Sequence, residues 1–584
     1  MNPAQLLEHF DRISEAPDAV ARLRRFILDL AVRGKLVEQD SNDEPASELF
    51  KRIQAERASD VAGTRKQAVI TKVGDSDVPF PAPLGWLWLR FGLAHDLVRG
   101  VTYTKSDVAE TQLADYLPIL RANNIGDSLN FDDLVFVRQE CIGPDQMLRR
   151  GDYLIALSSG SKNLVGKAAF VDADHPCGFG GFCGVIRLIS PLLEQFVGVF
   201  LSSRLYRDAI SAGSRGIGIN NLKRETLNEA LFPLPPLAEQ QRIVTKVNEL
   251  MALCDQLEAA KNEREARRDQ LVAASLHHIG TAPTATGEAA TEIQSANLLR
   301  DAARFHLDHL PRLTTRPEHI KQLRQTILNL AVRGRLVPQD PSDEPIVVAL
   351  QTVLERRAEL VRTKKIRQKK LDSCAALIRQ GDLPTSWVVE RLGNLVDPEN
   401  TISYGVLVPG NEVADGVPFV RAQDLALNSH PKRPNKSIAP EIEKAYARTR
   451  LKGGEILLCV VGSIGKLGVV PPSWAGANIA RAVARISPVR EVLRDYLLVI
   501  LQAQPLQSYF AEATRTLAQP TLNVGLIEQA PIPLPPLAEQ HRIVAKVNEL
   551  MALCDQLEAQ LAATQTDSRR LLEAMLHEAL AAAA

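Results

Sequence analysis

The stretch PLPPLAEQQRIVTKVNELMALCDQLEA, residues 233–259, returns 300 residues later as PLPPLAEQHRIVAKVNELMALCDQLEA, residues 533–559. The two copies differ at two positions: Gln241 corresponds to His541, and Thr245 corresponds to Ala545. So close a repeat within one chain indicates a single structural unit that is used twice. The clustered prolines predict extended backbone, and the long run of helix formers that follows each cluster predicts a long helix.

Along each predicted helix, apolar residues recur at alternating spacings of four and three. This spacing is typical of a coiled-coil seam, and the charged flanks favour a seam over the alternative, an amphipathic helix on a globular core. We therefore expect the two long helices to pair as an antiparallel coiled coil, with the charged segment Lys261–Gln270 more exposed. The predicted seam consists of Ile243, Val247, Leu250, Leu257, Ile543, Val547, Leu550 and Leu557.

A second repeat precedes each half of the chain. LRRFILDLAVRGKLVEQDSNDEP covers residues 23–45, and LRQTILNLAVRGRLVPQDPSDEP covers residues 323–345. The apolar positions mark one face of a helix, and Gly34 and Gly334 are the expected C-caps. A basic run, RTKKIRQKK, covers residues 362–370; such a run is more often a solvated helix face than a binding site, and nucleic acid is the alternative.

Two regions with a different residue pattern separate these helical repeats. Both have short β-rich runs divided by Gly, Asn, Asp and Pro, and both keep the same landmarks in the same order without being copies of each other. Strands are predicted at Tyr116–Leu120, Tyr153–Leu157, Lys167–Val171, Val185–Leu188, Phe419–Arg421, Ile456–Val461, Leu467–Val470 and Ala482–Ile486.

The predicted fold class is therefore α+β, with an internal pseudo-two-fold repeat. The small-residue stretch 280–294 is expected to be a flexible linker. In order, the predicted parts are a helical arm (1–78), a β-rich domain (79–232), a long helix (233–279), a linker (280–322), a second arm (323–382), a second β-rich domain (383–532) and a second long helix (533–584).

Composition excludes several classes of protein. The 584 residues exceed what one hydrophobic core usually organises. Lys and Arg number 69, as do Asp and Glu, so net charge indicates no partner. No secretory signal and no membrane-spanning apolar run is visible, and the seven cysteines form no CxxC pair, which favours a cytoplasmic protein with no membrane partner.

This alternation of near-identical helical segments with two divergent domains resembles the specificity subunit of a type I restriction-modification enzyme. The segments that carry the resemblance are LPPLAEQQRIV (234–244), LPPLAEQHRIV (534–544), the two LAVRG segments (30–34 and 330–334) and GSIGKLG (462–468). The resemblance covers essentially the whole chain. It implies that each β-rich region is a target recognition domain that reads one half of a split double-stranded DNA target in a host-defence system.

The same resemblance implies that the long helices hold the two domains apart and dock two methyltransferase subunits and the restriction/translocase subunits. S-adenosylmethionine is then expected on the partner methyltransferase, and no cofactor is expected on this chain. The first domain departs from the family's loop, because it reads SSGSKNLVG at residues 158–166.

The residues themselves argue against catalysis. VPPSW (470–474) has Ser where a methyltransferase tetrapeptide has an aromatic residue, and GSIGK lacks the spacing of a phosphate-binding loop. HPCGFGGFC (175–183) lacks a fourth metal ligand, so no metal site is predicted. The predicted role is a non-catalytic DNA-binding subunit. The alternatives are a self-sufficient DNA methyltransferase or nuclease, and a coiled-coil scaffold that does not read DNA.

Candidate contact residues follow from side-chain type and position. Side chains that donate to phosphates or to base edges cluster in the loops of both β-rich domains. The DNA-binding candidates are Tyr103, Thr104, Lys105, Lys162, Arg215, Asn220, Asn221, Tyr404 (the expected counterpart of the Tyr103 segment), Lys432, Arg433, Lys436, Lys466, Gln519 and Asn523. The subunit-docking candidates are Glu239, Arg242, Lys246, Glu539, Arg542 and Lys546.

Overall fold

The computed structural model of the protein describes residues 16–60, 73–74, 76–161, 164–213, 220–281, 289–367, 371, 383–514 and 520–582. The chain divides into two compact units. The first unit contains residues 1–263 and 565–584, and the second contains residues 264–564. Each unit therefore holds one arm, one β-rich domain, the beginning of one long helix and the end of the other.

Helices form the arms, the long repeats and the closing elements of each β-rich domain. The first half contains α1 Ala19–Val32, α2 Ala46–Asp60, α3 Glu194–Ser202, α4 Arg204–Gly213, α5 Arg224–Glu229 and α6 Leu237–Thr281. Then follow α7 Ala289–Asp308, α8 Leu310–Leu313, α9 Pro317–Ala331, α10 Ile346–Arg362, α11 Pro440–Lys444, α12 Arg494–Gln502, α13 Gln504–Thr514, α14 Val524–Glu528 and α15 Leu537–Ala582.

Short strands form the rest of both domains. The first domain contains β1 Leu87–Arg90, β2 His95–Arg99, β3 Val108–Ala109, β4 Tyr116–Leu120, β5 Val135–Arg138, β6 Tyr153–Ala156, β7 Ser158–Ser159, β8 Ala168–Phe170, β9 Gly178–Phe179, β10 Cys183–Leu188, β11 Asn220–Asn221 and β12 Leu231–Leu234. The second contains β13 Val388–Arg391, β14 Ser403–Tyr404, β15 Val417–Val420, β16 Lys436–Ile438, β17 Ile456–Cys459, β18 Leu467–Val469, β19 Asn478–Ile479, β20 Val483–Ile486 and β21 Pro531–Leu534.

Both domains use the same sheet plan. A four-stranded sheet has the order β2-β10-β6-β8 in the first domain and β14-β20-β17-β18 in the second. A second sheet, β3-β5-β4-β9 or β16-β15-β19, packs nearby, and an antiparallel pair, β1-β12 or β13-β21, leads into the long helix. The central strands β6 and β17 are buried along their whole length, which explains their continuous apolar sequences. The predicted strands are confirmed within two residues, and so is the α+β fold class.

Gly34 and Gly334 end the first helix of each arm, as predicted. Their φ angles of 65° and 68° lie in the left-handed region that favours glycine. A Cβ on Gly34 would lie 2.6 Å from Cγ of Pro83 and 2.9 Å from the ring of Trp86. The repeated glycine therefore provides both the helix end and the space for the proline and tryptophan that open each β-rich domain.

The apolar stripe of each long helix packs within its own half. Ile243 lies in one core cluster with Ile27 of α1, and Ile543 lies in a separate cluster with Ile327 of α9. This corrects the predicted seam contact and favours the alternative interpretation, an amphipathic helix on a globular core; pairing of the two long helices stays a prediction. The remaining seam residues divide in the same way, with Val247, Leu250 and Leu257 in the first cluster and Val547, Leu550 and Leu557 in the second.

In the first unit, the end of α15 packs against the start of α1. Leu572 and Met575 are buried together with Ala16 and Ala19. The Nε atom of Arg569 lies 3.7 Å from a carboxylate oxygen of Asp18. Helix α1 therefore contacts the end of one long helix as well as the beginning of the other.

The second unit repeats this arrangement with the end of α6 and the start of α9. Nε2 of His319 lies 2.7 Å from Oδ1 of Asp269. The side chains of Glu265 and Arg268 form an ion pair and are each only 17% exposed. Helix α9 thus contacts part of the charged segment Lys261–Gln270, in which no residue is buried, and this confirms the expectation that the segment is more exposed than the earlier part of α6.

The segment between the two halves is also more ordered than expected. Helix α7 begins at Ala289, inside the stretch 280–294 that was predicted to be flexible, and α8 follows it before the second arm. Residues 282–288 lie outside the described part of the chain. Most of the predicted linker 280–322 is helical because its composition, rich in Ala and Leu, favours helix.

Candidate nucleic-acid interface

The two β-rich domains share one backbone frame. A matched parallel bridge joins Val101 to Gly180 in the first domain and Val406 to Ala480 in the second. A glycine precedes each bridge, and a Cβ on Gly405 would lie 1.6 Å from the carbonyl oxygen of Ile479. Such an approach is possible only without a side chain. The bridge therefore gives a register in which residues of one domain can be compared with those of the other.

In the first domain, a tight turn begins at the bridge residue Gly180. The N–H of Cys183 donates to the carbonyl oxygen of Gly180 at 2.7 Å. Thr102 and Tyr103, which follow Val101 in the chain, lie against this turn. A Cβ on Gly181 would be 3.4 Å from Oγ1 of Thr102, and a Cβ on Gly180 would be 3.6 Å from the hydroxyl of Tyr103. Tyr103, a predicted candidate, therefore lies beside the turn.

On its other side, the same turn contacts a second predicted segment. The N–H groups of Leu157 and Ser158 both donate to the carbonyl oxygen of Phe182, at 2.9 and 3.0 Å. The hydroxyl of Ser158 donates to Oδ1 of Asn221 at 2.9 Å, across the β7–β11 pair. Three segments distant in sequence thus meet at one edge of the domain, and the ring of Phe182 there is 68% exposed.

The second domain has the same edge with different side chains. The N–H of Val483 donates to the carbonyl oxygen of Ala480 at 2.9 Å and closes the equivalent turn. The N–H of Arg481 donates to the carbonyl oxygen of Val406 at 3.0 Å, and the side chain of Arg481 is exposed. The N–H of Val460 donates to the carbonyl oxygen of Ala482 at 2.9 Å, as Leu157 does to Phe182.

Tyr404 and Asn523 are brought together at this second edge. The hydroxyl of Tyr404 donates to the carbonyl oxygen of Leu522 at 2.7 Å. Asn523 is exposed, and its Oδ1 accepts the N–H of Leu526 at 2.9 Å, so this side chain caps α14. Lys466 is exposed in the loop between β17 and β18, and its Nζ lies 3.3 Å from the carbonyl oxygens of Ala422 and Gln423.

The bridge register corrects one predicted correspondence. Tyr404 lies two residues before Val406 and therefore aligns with Arg99. Tyr103 lies two residues after Val101 and therefore aligns with Val408. The two tyrosines therefore occupy different places in their domains. The sequence suggested otherwise because both tyrosines lie near the start of their domains, and register cannot be read from residue type alone.

The other first-domain candidates have diverse positions. Thr104 is exposed and bonded to Asp107, with Oγ1 2.6 Å from Oδ2, and Lys105 is exposed beside it. Asn220 pairs through its backbone with Ser159. Lys162, Arg215 and the second-domain candidate Gln519 lie outside the described residues.

The basic loop of the second domain is partly engaged within the chain. Nζ of Lys436 lies 2.7 Å from a carboxylate oxygen of Glu412, and Arg433 donates to the carbonyl oxygen of Gly416 at 3.0 Å. Lys432 is exposed. These contacts shape the loop, and they leave Lys432 as its most available cation.

The basic run of the second arm begins at the last residue of α10. A cleft of about 630 Å³ lies between this arm and the second domain, lined among others by Arg357, Arg362 and Arg367. Residues 368–370 of the run lie outside the described part of the chain. The run therefore leaves the helix after Arg362, and its described residues are exposed apart from the half-buried Ile366.

Of the predicted docking residues, Glu239 and Glu539 are buried, and Arg242 and Arg542 form ion pairs within the chain. Glu239 is 1% exposed; its carboxylate accepts the indole N–H of Trp86 at 2.9 Å and the amide of Gln39 at 2.5 Å. Arg242 forms a bidentate pair with Asp43, at 2.6 and 3.3 Å. The second copy repeats these contacts: Glu539 accepts from Trp387 at 3.0 Å and Gln339 at 2.6 Å, and Arg542 pairs with Asp343.

This arrangement corrects the docking prediction for Glu239 and Glu539, whereas Arg242 and Arg542, with side chains 37% and 36% exposed, stay candidates. Burial raises the pKa of the Glu239 carboxyl, although its hydrogen bonds with Trp86 and Gln39 and the charge of Arg242 act in the opposite direction. Burial likewise raises the pKa of Glu539, against the opposite effect of its hydrogen bonds and of the charge of Arg542. These side chains hold the arm, the β-rich domain and the long helix together, while Lys246 is exposed and pairs with Glu249 at 3.0 Å.

The cysteine-rich turn of the first domain is a core element. Burial raises the pKa of Cys177 and of Cys183 to about 12, so both remain thiols near neutral pH. Within the described ranges, no group of three or more His, Cys, Asp or Glu residues is placed to hold a metal ion. Of the helices that the structure describes, none has the length and apolarity required to cross a membrane.

Comparison with known proteins assigns the chain to a family. The family model described as the type I restriction modification DNA specificity domain matches residues 146–264 and 385–564, which together make up half of the chain. The chain belongs to this family. The predicted role as a specificity subunit, the DNA-recognition component that carries no catalytic site, is thereby confirmed. The two matched ranges include most of both edges described above.

Individual relatives are similar to this chain over different shares of its length. The chain is 26% identical to the EcoAI specificity subunit of Escherichia coli over 591 residues, which covers 96% of this chain and 94% of the relative. It is 41% identical to the EcoKI specificity subunit of Escherichia coli strain K12 over 179 residues, covering 30% and 38%. A solved structure of the HsdS subunit from Thermoanaerobacter tengcongensis is 19% identical, with 86% and 98% coverage and a TM-score of 0.36.

Proposed function

We propose that this specificity subunit binds a bipartite double-stranded DNA target and reads one half-site with each β-rich domain. The observation that carries the proposal is the edge that both domains share. In each, a loop, a tight turn and a strand end meet around one bridge, with a rigid backbone and different side chains. A shared frame with divergent loops is what two readers of different base sequences require.

Replacement of one domain tests this modular reading. We expect that exchanging residues 383–532 for the matching domain of a relative changes one half of the recognised target and preserves the other. The target is selected from a random duplex pool by the full chain at a defined salt concentration, since phosphate contacts make affinity salt-dependent. The reciprocal exchange of residues 79–232 is the matched control. A change in both half-sites from either exchange would contradict modular reading.

We further infer that the two long-helix repeats each dock one methyltransferase subunit, giving two such subunits per chain. The support is an exposed surface that is identical in both copies: Asn248, Glu249 and Leu253 in the first, and Asn548, Glu549 and Leu553 in the second. Leu253 is 56% exposed and Leu553 is 47% exposed. In the described part of the chain these side chains are exposed, and Glu249 and Glu549 pair only with Lys246 and Lys546 of their own helix, so a partner that docks on each copy accounts for the shared surface.

Substitution of the two leucines tests the docking surface. Leu253→Asp should remove one methyltransferase subunit from the complex, and Leu253→Asp with Leu553→Asp should remove both, because each carboxylate would be desolvated at an apolar contact. Leu84→Asp, at a leucine 81% exposed in the first domain, is the matched control. Native mass measurement gives the stoichiometry. Two bound subunits in the double variant would refute this surface.

The remaining partners follow from the same proposal. S-adenosylmethionine binds the methyltransferase subunits, restriction/translocase subunits join the complex, and the assembly acts on DNA in the cytoplasm. The purified chain should therefore transfer no labelled methyl group to DNA until a methyltransferase subunit is added. Incorporation by the chain alone would favour the alternative of a self-sufficient methyltransferase.

A further inference from the structure

We propose that the turn at each domain edge carries a base-contacting side chain, Phe182 in the first domain and Arg481 in the second. The inference rests on the proposed function and adds residues that the sequence patterns did not indicate. Phe182 is the most exposed phenylalanine of the described residues, at 68%. Arg481 is exposed, and among the described residues no carboxylate lies within ion-pair distance of it.

The backbone holds both side chains outward. The Phe182 carbonyl accepts two N–H groups, from Leu157 and Ser158, while Cys183 closes the turn onto Gly180. These bonds fix the main chain on both sides of residue 182 and so fix the direction of its Cα–Cβ bond, and the ring is 68% exposed. An apolar ring kept in water adds little to the stability of the fold, which leaves it available for an external contact.

The neighbouring residues indicate what that contact is. Tyr103 lies on one side of the first turn, and Ser158 with Asn221 lies on the other. Hydroxyl and amide groups of this kind bond to phosphates and base edges. An exposed ring between such groups would meet the base edges of a bound duplex. An aromatic ring makes apolar contact with the C5-methyl group of thymine, so Phe182 is assigned to an A·T pair.

In the second domain, the equivalent turn carries a different kind of side chain. The side chain moves by one position, from residue 182 to residue 481 in the equivalent turn, and the aromatic ring is replaced by a guanidinium group. Arginine bonds in bidentate fashion to O6 and N7 of guanine, the commonest specific contact in the major groove. Arg481 is therefore assigned to a G·C pair. Equivalent turns thus read different bases in the two half-sites, through side chains that lie one position apart.

The first test is alanine substitution in the full chain with its methyltransferase subunits. Phe182→Ala should relax recognition at one A·T position of the first half-site and leave the second unchanged. Arg481→Ala should relax one G·C position of the second half-site only. Leu113→Ala, at another exposed apolar residue of the first domain, is the control. Mapping of methylated sites shows each change, with discrimination lost by roughly tenfold to a hundredfold.

The second test uses modified DNA with the unsubstituted protein. Uracil in place of the contacted thymine removes only the C5-methyl group, and 7-deazaguanine removes only N7. Each replacement should weaken binding by the unsubstituted chain, while the matching variant should be insensitive to it. Equal sensitivity of chain and variant would overturn the assignment.

Two other outcomes are distinguishable. If Phe182→Ala weakens binding of a methyltransferase subunit while the target stays the same, the turn is a protein contact and the inference is wrong. If the unsubstituted chain selects no bipartite target at all, the proposed function itself fails. A relaxed single position in an otherwise intact bipartite target supports both.

Discussion

The buried hydrogen bond between Trp86 and Glu239 should be a major support of the first unit. Trp86→Phe keeps an aromatic ring in place and removes the indole N–H that the carboxylate accepts at 2.9 Å. Glu239 is 1% exposed, so water cannot replace the lost donor without local opening. A hydrogen bond to a charged group contributes about 1.5–3 kcal/mol, and an unsatisfied buried acceptor adds a penalty, so we expect a loss of about 2–4 kcal/mol.

The chain offers a matched control two residues away. The indole N–H of Trp88 is buried without a hydrogen-bond partner among the described residues. Trp88→Phe therefore shrinks the ring in the same way but removes no hydrogen bond, and its cost should remain below about 1 kcal/mol. The second half repeats the test, since Trp387 donates to Glu539 at 3.0 Å.

Urea unfolding followed by far-ultraviolet circular dichroism measures these differences in the full chain. A double-mutant cycle with Glu239→Ala, which removes the acceptor, isolates the pair, because the coupling free energy removes the shared effect of ring size. We expect a coupling of about 1.5–3 kcal/mol. Equal losses for Trp86→Phe and Trp88→Phe, or a coupling near zero, would refute the assignment of stability to this contact.

Two further predictions concern backbone and pH. Gly405→Ala should prevent the second domain from folding, because its Cβ would lie 1.6 Å from the carbonyl oxygen of Ile479, whereas Gly160→Ala, with nothing within 4 Å, should be tolerated; limited proteolysis distinguishes them. The folded-state pKa of Glu239 is raised above 4.5, so the folded chain binds more protons and the free energy of unfolding should fall as pH rises through that window. Glu239→Gln together with Glu539→Gln should flatten this slope in urea titrations from pH 4.5 to about pH 8, and an unchanged slope would contradict the linkage.

Local chemistry in the sequence was sufficient to predict the long helices, the arm helices and most of the core strands. The prolines before Leu237 and the helix formers after it predicted the long helix, and Gly34 predicted the end of the arm helix, since both effects act within a few residues. Short apolar runs such as Ile456–Cys459 predicted buried strands for the same reason. The repeat predicted two similar halves, because identical segments fold alike.

The sequence did not predict which segments of the chain each long helix packs against. The stripe at Ile243 has the spacing of a coiled-coil seam, but its partners are the arm and the β-rich domain of its own half. The charges of Glu239 and Arg242 suggested a docking surface, yet Trp86 and Asp43, distant in sequence, bury or pair them. Periodicity and charge describe one face of a helix, whereas its partner depends on contacts between segments far apart in the chain.

By itself, the sequence of this specificity subunit determined the repeat, the element types and the family resemblance, because these follow from local residue chemistry. Only the tertiary structure decided which side chains share an edge. Tyr103, Phe182 and Asn221 meet there through strand pairing and backbone hydrogen bonds that join segments separated by tens of residues. Those long-range pairings fix the register of each loop, and a shift of one residue would present a different side chain at the edge.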